Sequence, residues 1–138
     1  MRLAAAAIRE HTNALQILIN NAAVMIRPYS TTKDGFENHI DTNHYAHFLL
    51  FQELKPLLLK AASFSPPARV INLTSNAHVL SGIRFDDLEF SEGKTYHRWT
   101  AYRQSKTANM YMTHYINRLY GSRGLIGLSV HPGVTSPS

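Results

Sequence analysis

The stretch Leu15-Gln16-Ile17-Leu18-Ile19-Asn20-Asn21-Ala22 decides how the rest of the chain is interpreted. Its first five residues form an almost continuous apolar run, which is typical of a parallel strand covered on both faces. Two amides and a small alanine follow, where the strand should end. Small residues let a ligand approach the backbone, and amides at the carboxyl end of a strand can hold loops or a ligand. We therefore predict a buried strand over residues 15–19, with a binding edge at its end.

Two further apolar runs predict two more strands, over residues 69–74 and 125–130. Apolar residues at helical spacing predict helices before, between and after the first two strands, over residues 3–10, 34–60 and 100–120. The order is helix, strand, helix, strand, helix, strand. It predicts an α/β fold in which right-handed crossovers build a parallel sheet between helices.

Several residues are predicted to fix the ends of the two long helices. Asp34 can cap the free amide hydrogens of the first, and Glu37 three residues later can close a capping box. Pro56 should kink or interrupt that helix. Thr100 is the predicted cap of the second long helix, and Gly121 its end.

Composition narrows the class of protein. The 138 residues suit one domain, and 44% hydrophobic with 17% charged residues is ordinary globular composition. No cysteine is present, so a disulfide framework and a thiolate metal site are excluded. The net charge of +5 comes from scattered Lys and Arg, which does not favour a nucleic-acid partner. No apolar run approaches the roughly 20 residues of a transmembrane helix, and the apolar start stops at Arg9, so we expect a cytoplasmic protein.

Tyr102 and Lys106 are the strongest candidates for chemistry. Four residues separate them, so on a helix both side chains lie on one face, one turn apart. A nearby ammonium favours the ionised form of a phenol and lowers its pKa from about 10. A tyrosine tuned in this way can exchange protons near neutral pH. Such a pair also occurs by chance on helices, so its meaning depends on the flanking chain.

The flanking chain resembles the short-chain dehydrogenase/reductase family, and in particular its retinol-dehydrogenase-like members. Five motifs coincide in order. They are Asn20-Asn21-Ala22 after a strand, Asn43 on the next helix, Ser75 after the second strand, Tyr102 with Lys106, and Pro132-Gly133 after the third strand. The stretches 34–37 and 43–48 are similar to the retinol-dehydrogenase-like subgroup.

The resemblance implies a catalytic role for four residues. Tyr102 would exchange the hydroxyl proton of an alcohol or carbonyl substrate, and Lys106 would tune Tyr102 and hold the nicotinamide ribose. Ser75 would hydrogen-bond the substrate oxygen. Asn43 would carry a water-mediated proton relay to Lys106. From the residues alone, Ser75 can also be a cap at a strand end, although its place before a long loop favours catalysis. Asn43 can also be a buried structural amide.

The resemblance also implies an NAD or NADP cofactor. The expected cofactor-binding residues are Asn21, Ala22, Tyr102, Lys106, Pro132 and Gly133. No metal is expected: His44 and His47 lie three residues apart on a helix, but no third ligand has suitable spacing.

The chain departs from the family pattern at its ends. The family binds its dinucleotide through a Gly-rich turn, Thr-Gly-x-x-x-Gly-x-Gly, and none of the seven glycines forms that pattern. Residues 1–138 are therefore expected to form a single partial NAD(P)-binding Rossmann-like domain, the catalytic half without the first βαβαβ half. Ala23 replaces the last Gly of the Asn-Asn-Ala-Gly motif. We expect impaired turnover, and as the alternative a non-catalytic fragment that forms a homodimer through helices 34–60 and 100–120.

Overall fold

A computed structural model of the chain describes residues 1–133. The main elements are α1 (Arg2–His11), β1 (Ile17–Asn20), α2 (Asn38–Ile40), α3 (Ala46–Ala61), β2 (Ala68–Leu73), α4 (Arg98–Tyr120) and β3 (Leu125–Val130). The strands form one parallel sheet in the order β1-β2-β3. The predicted α/β order and parallel sheet are confirmed, and β3 has the predicted bounds.

The helices of this part of the chain cover one face of the sheet, so the prediction of a sheet between helices is wrong for residues 1–133. Leu18 and Val70 point into a core that includes residues of α1, α3 and α4. Their neighbours Ile17 and Ile19 point the other way and are 43% and 59% exposed. Both crossovers run in the same direction along the sheet. Right-handed crossovers that advance in one direction place their helices on the same side.

The helix after β1 begins later than predicted, because Glu37 rather than Asp34 is its cap. The Glu37 carboxylate accepts the backbone N–H groups of His39 and Ile40, both at 2.9 Å. Asp34 instead enters a tight turn with Gly35, whose φ is +87°. A π-helical turn, Asp41–Tyr45, joins α2 to α3, which continues through Pro56 to Ala61.

The helix α4 begins at Arg98 with His97 as its cap, two residues before the predicted position. The hydroxyl of the predicted cap Thr100 lies 3.3 Å from His97 Nδ1 instead. The sequence predicts a core stripe of six residues on this helix: Ala101, Ser105, Ala108, Met112, Tyr115 and Leu119. The first four are buried, and Tyr115 is half-buried. Leu119 is 46% exposed, and Ile116 fills the core in its place.

The long helices are amphipathic, with one buried stripe and one polar face. His114 on α4, for example, is exposed to solvent, whereas Ile116, two residues later, is buried in the core. Within residues 1–133, no helix combines the length and the apolar character needed to cross a membrane.

Candidate active site

A pocket of about 240 Å³ lies where the carboxyl ends of the strands meet the first turns of α4. It is lined by Met25, Thr74, Ser75, Tyr102, His131, Pro132 and Gly133. Four of the predicted site residues, Ser75, Tyr102, Pro132 and Gly133, are in this lining. Tyr102 is 8% exposed, so its ring is packed into the protein although the residue is part of the pocket lining. The structure therefore brings the phenol and the serine hydroxyl to the same cavity.

Lys106 lies behind the Tyr102 ring and is 4% exposed. Its Nζ is 5.7 Å from the centroid of that ring and donates a hydrogen bond to the Leu73 carbonyl oxygen at 3.0 Å. The Asn109 amide donates to the same oxygen at 3.1 Å. Burial lowers the pKa of Lys106 from its usual value. The end of β2 thus holds the ammonium against the tyrosine that precedes it by one turn.

Ser75 is a helix cap and also lies in the pocket lining, and its catalytic role stays a prediction. Its Oγ accepts the backbone N–H of Ala77 at 3.2 Å and so caps the short 3₁₀ helix Asn76–Leu80. The same side chain is part of the pocket lining. A hydroxyl that accepts from the backbone keeps its own proton free to donate, so Ser75 can still donate to a ligand oxygen.

Asn43 is fully buried in the π-helical turn, a feature often found at functional sites. Its Oδ1 accepts the Val24 N–H at 2.8 Å, and its Nδ2 donates to the Val24 carbonyl and to Ser105 Oγ, both at 2.9 Å. Ser105 Oγ in turn donates to the Tyr102 carbonyl at 2.7 Å. The Asn43 amide therefore ties the loop after β1 to the helical turn that carries Tyr102.

Asn21 and Ala22 are exposed and follow the last residue of β1. The described lining of the pocket includes neither of them. Their neighbour Asn20 is buried and donates to Asn72 Oδ1 at 2.8 Å, which connects the ends of β1 and β2. The structure thus separates a structural amide from two residues that are accessible to a ligand.

The residues at the pocket are chemically compatible with the nicotinamide cofactor that the resemblance implies. Three hydroxyl side chains, Thr74, Ser75 and Tyr102, line an open cavity, and a buried ammonium lies next to the Tyr102 ring. Gly133, with φ +87°, leaves open space where a Cβ would stand. The sequence has no Gly-rich turn for the pyrophosphate.

Three residues of the lining, Met25, Thr74 and His131, are not among the predicted site residues, and His131 was expected to be structural. Thr74 is 6% exposed, and its Oγ1 donates to the Lys106 carbonyl at 3.1 Å. Its position directly before Ser75 was a usable signal. His131 precedes the predicted Pro132. Met25 lies in a loop without periodicity, and no pattern in the sequence marks it.

The parallel sheet and its pocket place the chain among α/β proteins of the Rossmann type. The Pseudomonas aeruginosa RhlG/NADP active-site complex superposes with a TM-score of 0.73 and 27% identity, over 98% of this chain and 48% of that chain. A family model described as Enoyl-(Acyl carrier protein) reductase matches residues 1–137.

The relatives by sequence make the assignment more specific. Mouse retinol dehydrogenase 12 is 48% identical over 120 residues, which is 87% of this chain and 36% of the mouse protein. The short-chain dehydrogenase/reductase prx1 of Penicillium roqueforti is 39% identical over 133 residues, which is 96% of this chain and 38% of that protein. The chain belongs to the short-chain dehydrogenase/reductase family and is retinol-dehydrogenase-like. It spans little more than a third of the length of these relatives.

Proposed function

We propose that the chain carries the catalytic half of an NAD(P)-dependent oxidoreductase acting on a small alcohol or carbonyl substrate. The observation that carries the proposal is the meeting of Tyr102 and Ser75 at one pocket, with the Lys106 ammonium against the tyrosine ring. Membership of the family and the similarity to retinol dehydrogenase 12 support it.

In the proposed reaction, the residues move a proton and hold an oxygen. In the direction of reduction, Tyr102 donates its hydroxyl proton to the carbonyl oxygen, which becomes the alcohol. Ser75 donates a hydrogen bond to that oxygen as negative charge develops on it. The positive charge of Lys106 stabilises the phenolate that remains. A bound nicotinamide cofactor supplies or accepts the hydride.

The other predicted site residues act through position or cofactor contact. Asn43 holds the loop after β1 against the Tyr102 turn, and its water-mediated relay to Lys106 stays a prediction. Pro132 and Gly133 form the pocket wall where the nicotinamide is proposed to lie. Asn21 and Ala22 are proposed contacts for the rest of the cofactor. The RhlG neighbour holds NADP, but both NAD and NADP remain candidates for this chain.

Nicotinamide mononucleotide tests this proposal sharply, because it contains the part of the cofactor that the pocket is expected to hold. We expect millimolar nicotinamide mononucleotide to perturb NMR signals of residues around Tyr102. Lys106→Met should weaken the binding several-fold. Tyr111→Phe is the matched control, because it alters an exposed ring on the same helix away from the pocket. Equal binding to the wild-type chain and Lys106→Met would contradict the proposal, as would the absence of binding.

A second candidate function is an interaction module, and a groove between the long helices favours it. An apolar pocket of about 370 Å³ lies between the π-helical turn, α3 and α4, and its wall includes Phe85 and Tyr111. These two residues are 75% and 56% exposed. We infer a homodimer contact on this face. Tyr111→Glu should lower the sedimentation coefficient of the associated chain, whereas the exposed His114→Glu should not.

A further inference from the structure

The loop that forms one wall of the pocket contains a strained residue. Ile26 has φ +54°, in the left-handed region that β-branched side chains avoid. It directly follows Met25, which lines the pocket, and directly precedes Arg27. Such a conformation persists when surrounding contacts hold it in place. The contacts that hold Ile26 therefore also determine where Met25 lies.

Arg27 is fixed through both polar atoms of its backbone. Its N–H donates to His39 Nε2 at 3.1 Å, and its carbonyl oxygen accepts the Tyr96 hydroxyl at 2.7 Å. His39 lies in α2 and Tyr96 lies just before α4, so two separate segments of the chain hold the two peptide groups that flank Arg27.

His39 is in turn fixed by Glu37, and both side chains are fully buried. The Arg27 N–H can only donate, so Nε2 of His39 must carry a lone pair and the imidazole proton lies on Nδ1. That proton points to Glu37 Oε1, which lies 2.7 Å from Nδ1. The Glu37 carboxylate also caps the helix through His39 and Ile40, so the imidazole is attached to a rigid helix start.

Tyr96 is suited to donate to the loop. Burial and the charge of Glu37 raise the pKa of Tyr96 to about 12, so its hydroxyl keeps its proton at physiological pH. The rings of Tyr29 and Phe90 pack edge-on against its ring, with centroids 5.3 Å and 5.4 Å away. The same hydroxyl lies 3.3 Å from His39 Nδ1.

The cluster reaches the proposed catalytic tyrosine as well. The His39 ring packs edge-on against the Tyr102 ring, with centroids 6.4 Å apart and an interplanar angle of 74°. One imidazole therefore contacts both the loop that carries Met25 and the ring that carries the phenol.

We propose that Glu37, His39 and Tyr96 are positioning residues that clamp Arg27 and so fix Met25 as a wall of the pocket beside Tyr102. The proposal rests on the proposed function in one respect, namely that a ligand enters this pocket. A fixed methionine in the pocket wall would then restrict the shape of the substrate group that can bind next to Tyr102.

Methionine methyl groups provide a direct test without any ligand. The chain has four methionines, at positions 1, 25, 110 and 112. In the 138-residue chain labelled with [methyl-¹³C]methionine, Met25→Leu assigns the Met25 signal. Met25 is already 54% exposed, so the measurement concerns its mobility rather than its exposure. We expect Tyr96→Phe to narrow that signal and to shift it toward the averaged position of a freely rotating methionine. The signal of Met112, which is 2% exposed in the core, should not move.

Two further variants make the result decisive. Tyr29→Phe is the control, because it removes a hydroxyl from the neighbouring ring and leaves the Arg27 clamp intact. His39→Gln removes the imidazole that accepts the Arg27 N–H and should also move the Met25 signal. An unmoved Met25 signal in Tyr96→Phe, or an equal shift in Tyr29→Phe, would overturn the proposal. If nicotinamide mononucleotide fails to bind, the proposed function fails, and the Met25 signal still decides the clamp.

Discussion

Ile26 combines a left-handed backbone conformation with a β-branched side chain that disfavours it. Glycine adopts φ +54° freely, whereas a residue with a Cβ is strained there. Glycine and alanine both remove the branched side chain, so comparing them isolates the backbone. We expect Ile26→Gly to exceed Ile26→Ala in free energy of unfolding by about 1 kcal/mol.

The measurement is the urea midpoint of the two variants under identical conditions. In a loop residue with ordinary negative φ, the order is the reverse, because glycine is more flexible in the unfolded chain. Ile26→Ala as the more stable variant would therefore contradict the left-handed conformation of residue 26.

At this scale the sequence predicted the residues that carry recognisable chemistry. The spacing of Tyr102 and Lys106 placed both side chains on one helix face, and the strand end placed Ser75 near them. The sequence could not show that the Leu73 carbonyl holds the ammonium, because that contact joins residues 33 positions apart. Met25 was missed for a similar reason: its place in the pocket depends on a tertiary clamp rather than on a local pattern.

Among the elements, the π-helical turn and α3 place two histidines in the protein interior. Burial lowers the pKa of His44 from 6.5, although its hydrogen bond to Asn109 acts in the other direction. Burial also lowers the pKa of His47, against a hydrogen bond to the Asn43 carbonyl, and the charge of Lys106 adds to the lowering. Both side chains are therefore expected to be neutral at neutral pH, in the helix that faces α4.

This gives a prediction for stability against pH. Above about pH 6.5 both histidines are neutral in the folded and unfolded chains, so they make no pH-dependent contribution. Below that pH the unfolded chain binds more protons than the folded chain, so the free energy of unfolding falls until the lowered folded pKa values are passed. We expect the urea midpoint to drop between pH 7 and pH 5, and to drop less in the double variant His44→Gln, His47→Gln.

The control for this prediction is His114→Gln, which changes an exposed histidine on α4. In this variant, the difference between the urea midpoints at pH 7 and pH 5 should equal that of the wild-type chain. An equal drop in the wild-type chain and the double variant would show that other groups cause the acid sensitivity.

The type and order of the elements followed from local patterns, whereas helix starts depended on tertiary contacts. The bounds of β3 were predicted correctly, because the strand coincides with an apolar run that ends directly before His131. Asp34 and Thr100 were wrong as caps for a different reason. A turn at Gly35 removes Asp34 from the helix start, and the carboxylate of Glu37 reaches the same amides. Propensity identifies residues that can cap a helix, but the chain path decides which one does.

For the molecule as a whole, the one-sided sheet is the dominant physical feature of residues 1–133. In the sheet register, Ile19, Ile71 and Leu128 form one row across the uncovered face. Ile19 is 59% exposed and Leu128 39% exposed. The sequence predicted the apolar strands but not which face the helices leave bare, because that depends on the direction of successive crossovers. Exposed apolar patches of this kind favour association.

Within residues 1–133, β1 is an edge strand whose outer backbone groups pair with no other strand, next to Ile17 and Ile19, which adds a second cause of association. We therefore expect the 138-residue chain to self-associate at tens of micromolar, and Ile19→Lys to shift its sedimentation toward the monomer. Leu119→Lys is the matched control, because it adds the same charge at a 46% exposed leucine on α4. If both variants reduce association equally, net charge rather than the bare sheet face is responsible. A wild-type chain that is monomeric at this concentration would contradict the prediction, because it would show that the exposed sheet face does not drive association.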